Sequence, residues 1–315
     1  MTDQVYRLVT RSDFDGLVCA VLLRALGMID EIEFVHPKDV QDGVTPITDR
    51  DILTNLPYAP AAHLVFDHHH SETLRNVGMA TNHVIDPEAK SAARVVYEYL
   101  GGAERFPGIS DDLMTAVDQA DSADYTLEDI LRPKGWTLLN YLMDSRTGLG
   151  RFRDFRISNY QLMMQLIDIV LNHASVEQIL AVPDVAERVE LYHEQSVLFT
   201  EQLHRISTVR GRLLQVDLRR EDVVHAGNRF MVYALFPQCQ VSAHIIWGKN
   251  RQNTVLACGK SILDRTNPVD LGALMLRHGG GGHHNAGTCQ VPHDQTEDVL
   301  REVADAVNAL AGLHV

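Results

Sequence analysis

Three clusters in this sequence bring together side chains that can do chemistry. In Ser12-Asp13-Phe14-Asp15-Gly16, two carboxylates stand one residue apart, directly before a long apolar stretch. Each can hold a hard or borderline divalent cation, although a solvated turn with Asp as helix N-cap would use the same residues. The second cluster, Phe66-Asp67-His68-His69-His70-Ser71-Glu72, follows a short apolar run. A packed strand end gains little from three successive imidazoles, so ligand chemistry is the better reading. Carboxylate plus imidazole suits manganese, iron, cobalt or zinc better than a pure magnesium site, which prefers oxygen. In the third, His278-Gly279-Gly280-Gly281-Gly282-His283-His284-Asn285-Ala286-Gly287, glycines free the backbone to approach a ligand, and successive N–H groups can form an anion nest. A glycine run alone is commonly a flexible loop; with His283 and Asn285 beside it, a phosphate-binding loop is preferred.

These clusters need elements to hold them. Val5 to Thr10 reads as a strand, and Gly16 to Leu26 as a buried helix (Leu17, Val18, Ala20, Val21, Leu22, Leu23) stopped by Gly27. Further strands are expected at Ile32 to His36, His63 to Phe66 and His83 to Ile85, and Ser91 caps a helix running to Leu100. Strand–helix alternation of this kind favours a parallel sheet covered on both faces, which places the first two clusters at the carboxyl ends of strands, where ligands of open α/β sheets bind. From about residue 155 to 207 the pattern is helical. After Gly211, strands are expected at Leu213 to Leu218, Phe230 to Phe236, Val241 to Trp247 and Thr254 to Cys258, a short helix at Val269 to Arg277, and an amphipathic one at Glu297 to Leu310.

The order and separation of the three clusters resemble those of the DHH phosphoesterases over essentially the whole chain. Asp13-Phe14-Asp15-Gly16 resembles the first motif, Asp67-His68-His69 the triplet that names the family, and Gly280-Gly281-Gly282-His283 the signature of its associated C-terminal domain. Within the family, the resemblance is to exopolyphosphatase-related members. It implies an α/β fold: an N-terminal parallel-sheet domain covered by helices over residues 1–185, a helical linker over 186–211, and a smaller α/β domain with a mixed sheet over 212–315. It also implies a metal set of Asp13, Asp15, Asp67 and His68, with one Asp between the first and third motifs and another after the third. Asp51 is the choice for the former, with Asp49 second; Asp121 is the choice for the latter, with Asp118 second.

The activity implied is hydrolysis of a phosphoanhydride or phosphodiester bond by metal-activated water, with Asp67, His68 and His69 at the catalytic centre. His69 would face the substrate. Arg11, Lys260, Gly280, Gly281, Gly282, His283 and Asn285 would hold substrate phosphates. The expected cofactor is Mn2+, with Co2+ or Mg2+ as alternatives, and two ions. One departure bears on the first ion: many family members place a His shortly before the first Asp, and here Val9, Thr10, Arg11 and Ser12 stand there. Arg11 cannot be a ligand because its guanidinium stays protonated. The first ion would then bind more weakly, borrow His69 or His70, or be partly replaced by the Arg11 charge.

Composition narrows the substrate. Lys and Arg number 28 against 42 Asp and Glu, a net charge of −14, which argues against duplex nucleic acid but not against a short single-stranded oligonucleotide or a nucleotide in a local pocket. No run approaches the roughly eighteen apolar residues of a membrane span. The N-terminus lacks a signal-peptide pattern, so a cytoplasmic location is expected. Cys19, Cys239, Cys258 and Cys289 are scattered and read as reduced thiols. A homodimer is left open. The competing reading is a non-catalytic sensor that keeps the fold and binds a nucleotide or phosphate.

Overall fold

In the computed structural model, residues 4–69 and 80–309 are described. The strands Tyr6–Thr10 (β1), Ile29–Phe34 (β2), Asp51–Thr54 (β3), Leu64–Asp67 (β4) and His83–Ile85 (β5) form one sheet in the order β2-β1-β3-β4-β5, every pair parallel. Leu8, Val9, Ile52, Leu53, Val65 and Phe66 are fully buried, as expected of central parallel strands, which bury both faces and so read as continuous apolar runs.

Helix α1 (Phe14–Ala25) follows β1 with Asp13 as its N-cap, and Phe14 through Leu23 are buried without a break. A helix apolar all round belongs inside, and α1 packs against α2 (Ala92–Tyr99), α3 (Asp111–Asp121) and α5 (Asn159–Leu171). Ser91, Ser110 and Ser158 cap these three helices, each accepting a backbone N–H of the first turn. Helix α4 (Gly135–Met143) lies between α3 and α5 in sequence. No helix among the described residues is long and apolar enough to cross a membrane.

The chain forms two compact units. One comprises Met1–Asp124, Pro133–Ser145 and Leu149–Glu190; the other comprises Tyr125–Arg132, Arg146–Gly148 and Leu191–Val315. Helix α6 (Pro183–Ile206) begins in the first and ends in the second.

The second unit holds a mixed sheet of Ser207–Arg210 (β6), Leu213–Asp217 (β7), Val241–Trp247 (β8), Thr254–Lys260 (β9), Gly281–His283 (β10) and Ala286–Val291 (β11), ordered β10-β11-β9-β8-β7-β6. Only β7 and β8 run parallel. Helices α8 (Leu271–Leu276) and α9 (Thr296–Ala309) cover it, and Leu213, Val241, Leu256, Met275 and Val303 share its core. All four cysteines are buried free thiols.

One expected strand is a helix. Within Phe230 to Phe236, residues Met231–Leu235 form α7. Seven apolar residues cannot separate a strand from a buried helical turn by periodicity. Here Asn228 Oδ1 accepts the Phe230 N–H at 2.9 Å and starts the turn. Met231, Val232 and Tyr233 are then buried in succession, with the Tyr233 hydroxyl donating to Gly259 O at 2.8 Å.

Candidate metal centre

At the carboxyl edge of the parallel sheet, Thr10 of β1 pairs in register with Thr54 of β3, and Thr54 with Phe66 of β4. The Thr10 and Thr54 hydroxyls are joined at 2.7 Å. One residue further along each strand come Arg11, Asn55 and Asp67, a single row across three adjacent strands. The chain turns into α1 immediately beyond Arg11, and a Cβ on Gly16 would lie 2.0 Å from Arg11 O. Gly16→Ala must therefore displace the turn that carries Asp13 and Asp15. Overpacking of this kind costs about 1–3 kcal/mol, so the variant should melt lower and bind metal more weakly, as read by thermal denaturation and equilibrium dialysis.

Asp13 uses Oδ1 to accept the Gly16 N–H at 3.0 Å, while Oδ2 lies 3.1 Å from Arg11 Nε. Asp15, buried in the first turn of α1, accepts the N–H groups of Ala92 (3.1 Å) and Ala93 (2.8 Å) at the start of α2. Asp67 is fully buried; its Oδ1 accepts from His68 N at 2.8 Å and lies 2.7 Å from His69 Nδ1, whereas its Oδ2 has no partner. His68 Nδ1 faces Ala89 O at 3.3 Å, which orients the ring and points Nε2 inward. That Nε2 lies 2.9 Å from Asp121 Oδ2, at the end of α3, but is not aligned for a hydrogen bond with it. Ligand atoms of Asp15, His68 and Asp121 all fall within 4.8 Å of one another, as do those of Asp67, His68 and His69.

The electrostatics of this cluster are those of a cation site. Burial and the neighbouring Asp121 and Asp13 push the Asp15 pKa well above the usual carboxylate range, despite the opposing pull of His68. Burial disfavours a charged His68, yet Asp121, Asp15 and Asp67 outweigh it and raise its pKa to about 9. Burial would raise Asp121, but its contact with His68 keeps it below the ordinary value. Three carboxylates thus gather around one imidazole, a concentration of negative charge that a cation would offset. An orphaned carboxylate oxygen, an inward imidazole nitrogen and a mixed oxygen and nitrogen donor set fit a divalent metal ion.

Not every expected residue joins this cluster. Asp51 opens β3, beside Arg7 at the amino end of the sheet. Its oxygens accept from Arg7 Nε (2.7 Å), Arg7 Nη2 (2.9 Å) and Thr48 N (2.7 Å). Four residues of extended strand, about 13 Å at ~3.3 Å each, separate it from the carboxyl edge, so Asp51 does not reach the metal cluster, and Asp49 precedes it in the chain, before β3 begins. Asp51→Ala should lower stability by about 1.5–3 kcal/mol, the worth of hydrogen bonds to charged groups, and leave metal content unchanged; calorimetry and metal analysis of the same sample would show both.

The residue that does stand at the carboxyl end of β3 is Asn55. It is only 1% exposed, its backbone lies in the left-handed region (φ 56°), and neither side-chain Oδ1 nor Nδ2 has a partner. The signal for it, an Asn ending Ile52-Leu53-Thr54, becomes visible only once that run is read as a strand. Of the two candidate aspartates near the end of α3, Asp121 meets His68, while Asp118 is taken by Ser91 Oγ at 2.7 Å and Arg94 Nη2 at 2.7 Å. His70, Ser71 and Glu72 lie outside the described residues.

In the second unit the glycine run forms structure of its own. Gly281–His283 is β10, paired antiparallel with β11, and His284 and Asn285 make the turn. A Cβ on Gly280 would meet Thr288 O at 2.1 Å and one on Gly282 would meet Ala286 O at 2.2 Å, so the glycines serve close strand packing. His283 and Asn285 are exposed at this hairpin. Lys260, at the end of β9, places Nζ 2.8 Å from His284 Nε2, and burial lowers its pKa.

No family model matches the chain, and no curated protein does. Among solved structures, the pGpG-specific phosphodiesterase PggH from Vibrio cholerae is 54% identical, with 97% of this chain and 99% of that one covered and a TM-score of 0.87. An exopolyphosphatase-related protein from Bacteroides fragilis shares the fold at 11% identity (96% and 92% covered, TM-score 0.51). So does RecJ from Thermus thermophilus in complex with Mn2+, at 13% identity (97% and 52% covered, TM-score 0.51).

Proposed function

The chain belongs to the DHH phosphoesterase family, and on that footing we propose that it is a manganese-dependent phosphodiesterase that cleaves a short phosphorylated dinucleotide of the pGpG type to mononucleotides. The observation that carries this reading is the 54% identity to PggH along almost the full length of both chains.

Asp15, His68 and Asp121, with the unpartnered Oδ2 of Asp67, would hold the cation. When bound, such an ion polarises a phosphoryl oxygen and makes water a stronger nucleophile near neutral pH. The chain's own residues do the rest. Arg11 presents a permanent positive charge at the same sheet edge and suits a phosphate oxygen. His69, its Nδ1 held by Asp67, keeps Nε2 available to move a proton at the scissile ester. In a chain of net charge −14, these cations are what a polyanionic substrate can meet locally. Lys260, His283 and Asn285, with Gly280 to Gly282, are proposed to bind a phosphate that is not attacked.

A substrate panel with manganese tests the assignment: pGpG, other 5′-phosphorylated dinucleotides, cyclic dinucleotides and polyphosphate, with products separated by ion-exchange chromatography. The expected result is GMP from pGpG faster than any product from the others. Turnover confined to polyphosphate would overturn the dinucleotide assignment, and pGpG binding without turnover would favour a sensor. His283→Ala should raise KM for pGpG with metal content unchanged; loss of metal would instead place His283 among the ligands.

A further inference from the structure

Resting on the metal-centre reading above, we infer that this centre takes one divalent cation, and that Arg11 and Asn55 occupy the place of a second. Both triads of candidate ligands among the described residues contain His68, so both describe one side of the cluster. The other side of the row offers different chemistry. Arg11 supplies a fixed guanidinium, already 3.1 Å from Asp13 Oδ2, which takes up that carboxylate with a cation that is part of the chain.

Beside it, at the end of β3, stands Asn55. Its amide is neutral and therefore a poor counter-charge for a second ion. The side chain is nonetheless placed with care: it is 1% exposed, unpartnered at both polar atoms, and carried on a left-handed backbone conformation that Asn tolerates better than most residues. Buried amides without partners are rare unless something else completes them. Standing between Arg11 and Asp67, this one is suited to a phosphoryl oxygen, to which Nδ2 can donate while Arg11 donates from the neighbouring strand. A pair of fixed donors here would bind the developing negative charge that a second cation would otherwise neutralise.

Metal stoichiometry tests this without reference to turnover. The full-length protein, stripped with EDTA and dialysed against Mn2+, is analysed for manganese per chain and by electron paramagnetic resonance. One ion and a mononuclear signal are expected for the wild type, and none for His68→Ala. The Arg11→His/Asn55→Asp double variant should bind two, with the signal of a spin-coupled pair. Asn55→Asp alone, kept as a milder change should the double variant fold poorly, should take up a second ion at higher Mn2+ concentration. Two ions in the wild type would overturn the inference while leaving the metal centre in place. No ion in the wild type would remove the metal centre itself. One ion in every correctly folded variant would show that Arg11 and Asn55 do not exclude the second.

Discussion

Replacing His68 with alanine is expected to reduce pGpG cleavage by well over 100-fold while leaving the fold intact. Loss of an outer partner of a metal ligand typically costs about 10–100-fold, and His68 stands nearer than that. His68 is the residue that the two ligand triads share, and its Nδ1 faces Ala89 O at 3.3 Å. Truncation leaves the strand pairing of β4 untouched, so circular dichroism should stay close to wild type, whereas the cation-free protein should melt lower at neutral pH because Asp15 and Asp121 lose the imidazole that offsets their charge. His69→Ala separates ligand from proton donor: it should keep manganese and lose rate. Equal loss of manganese in both variants would place His69 in the coordination set instead.

The second large effect is on stability. Without a cation, Asp15 is a buried carboxylate whose neighbours Asp121 and Asp13 oppose its charge. A group whose folded pKa is raised contributes stability in acid, below its ordinary range, and loses it as pH rises through the folded value. At neutral pH the cation-free protein therefore carries a strained cluster that Mn2+ relieves. Manganese at 100 times its dissociation constant should add about 2.7 kcal/mol. For a unit of this size, at roughly 2–4 °C per kcal/mol, the melting temperature should rise by about 5–10 °C. In Asp15→Asn the rise should disappear, because the ligand is lost. The cation-free variant should melt no lower than cation-free wild type, since the amide can still accept from Ala92 or Ala93 without an unfavourable charge. An undiminished manganese shift in Asp15→Asn, followed by differential scanning calorimetry, would show that the ion binds elsewhere.

How far the sequence could be read depended on whether each signal was local. The Asp13–Gly16 turn and the Asp67–His69 triplet were legible because each follows an apolar run that pairs in the sheet and ends where ligands bind. The α1 helix was legible from its unbroken apolar stretch. Asp51 misled because Asp49-Arg50-Asp51 is conspicuous in sequence while β3 is only four residues long. Without the strand, nothing shows that Asp51 begins it and Asn55 follows it, and those two positions lie at opposite ends of the sheet. The glycine run carries a packing role that its spacing alone did not show. Its freedom serves close approach to β11, a partner that only tertiary structure reveals. Phe230 to Phe236 shows the same limit, since seven apolar residues carry no period that separates a strand from a short buried helix.

The most direct measurement is single-turnover cleavage of pGpG by protein stripped of metal and then given Mn2+ alone. No GMP should form before manganese is added. After it, each pGpG should be converted to GMP, with the wild type and His68→Ala differing by more than about 100-fold. Cleavage at full rate by metal-free protein, or tight pGpG binding with no GMP at any manganese concentration, would contradict the account.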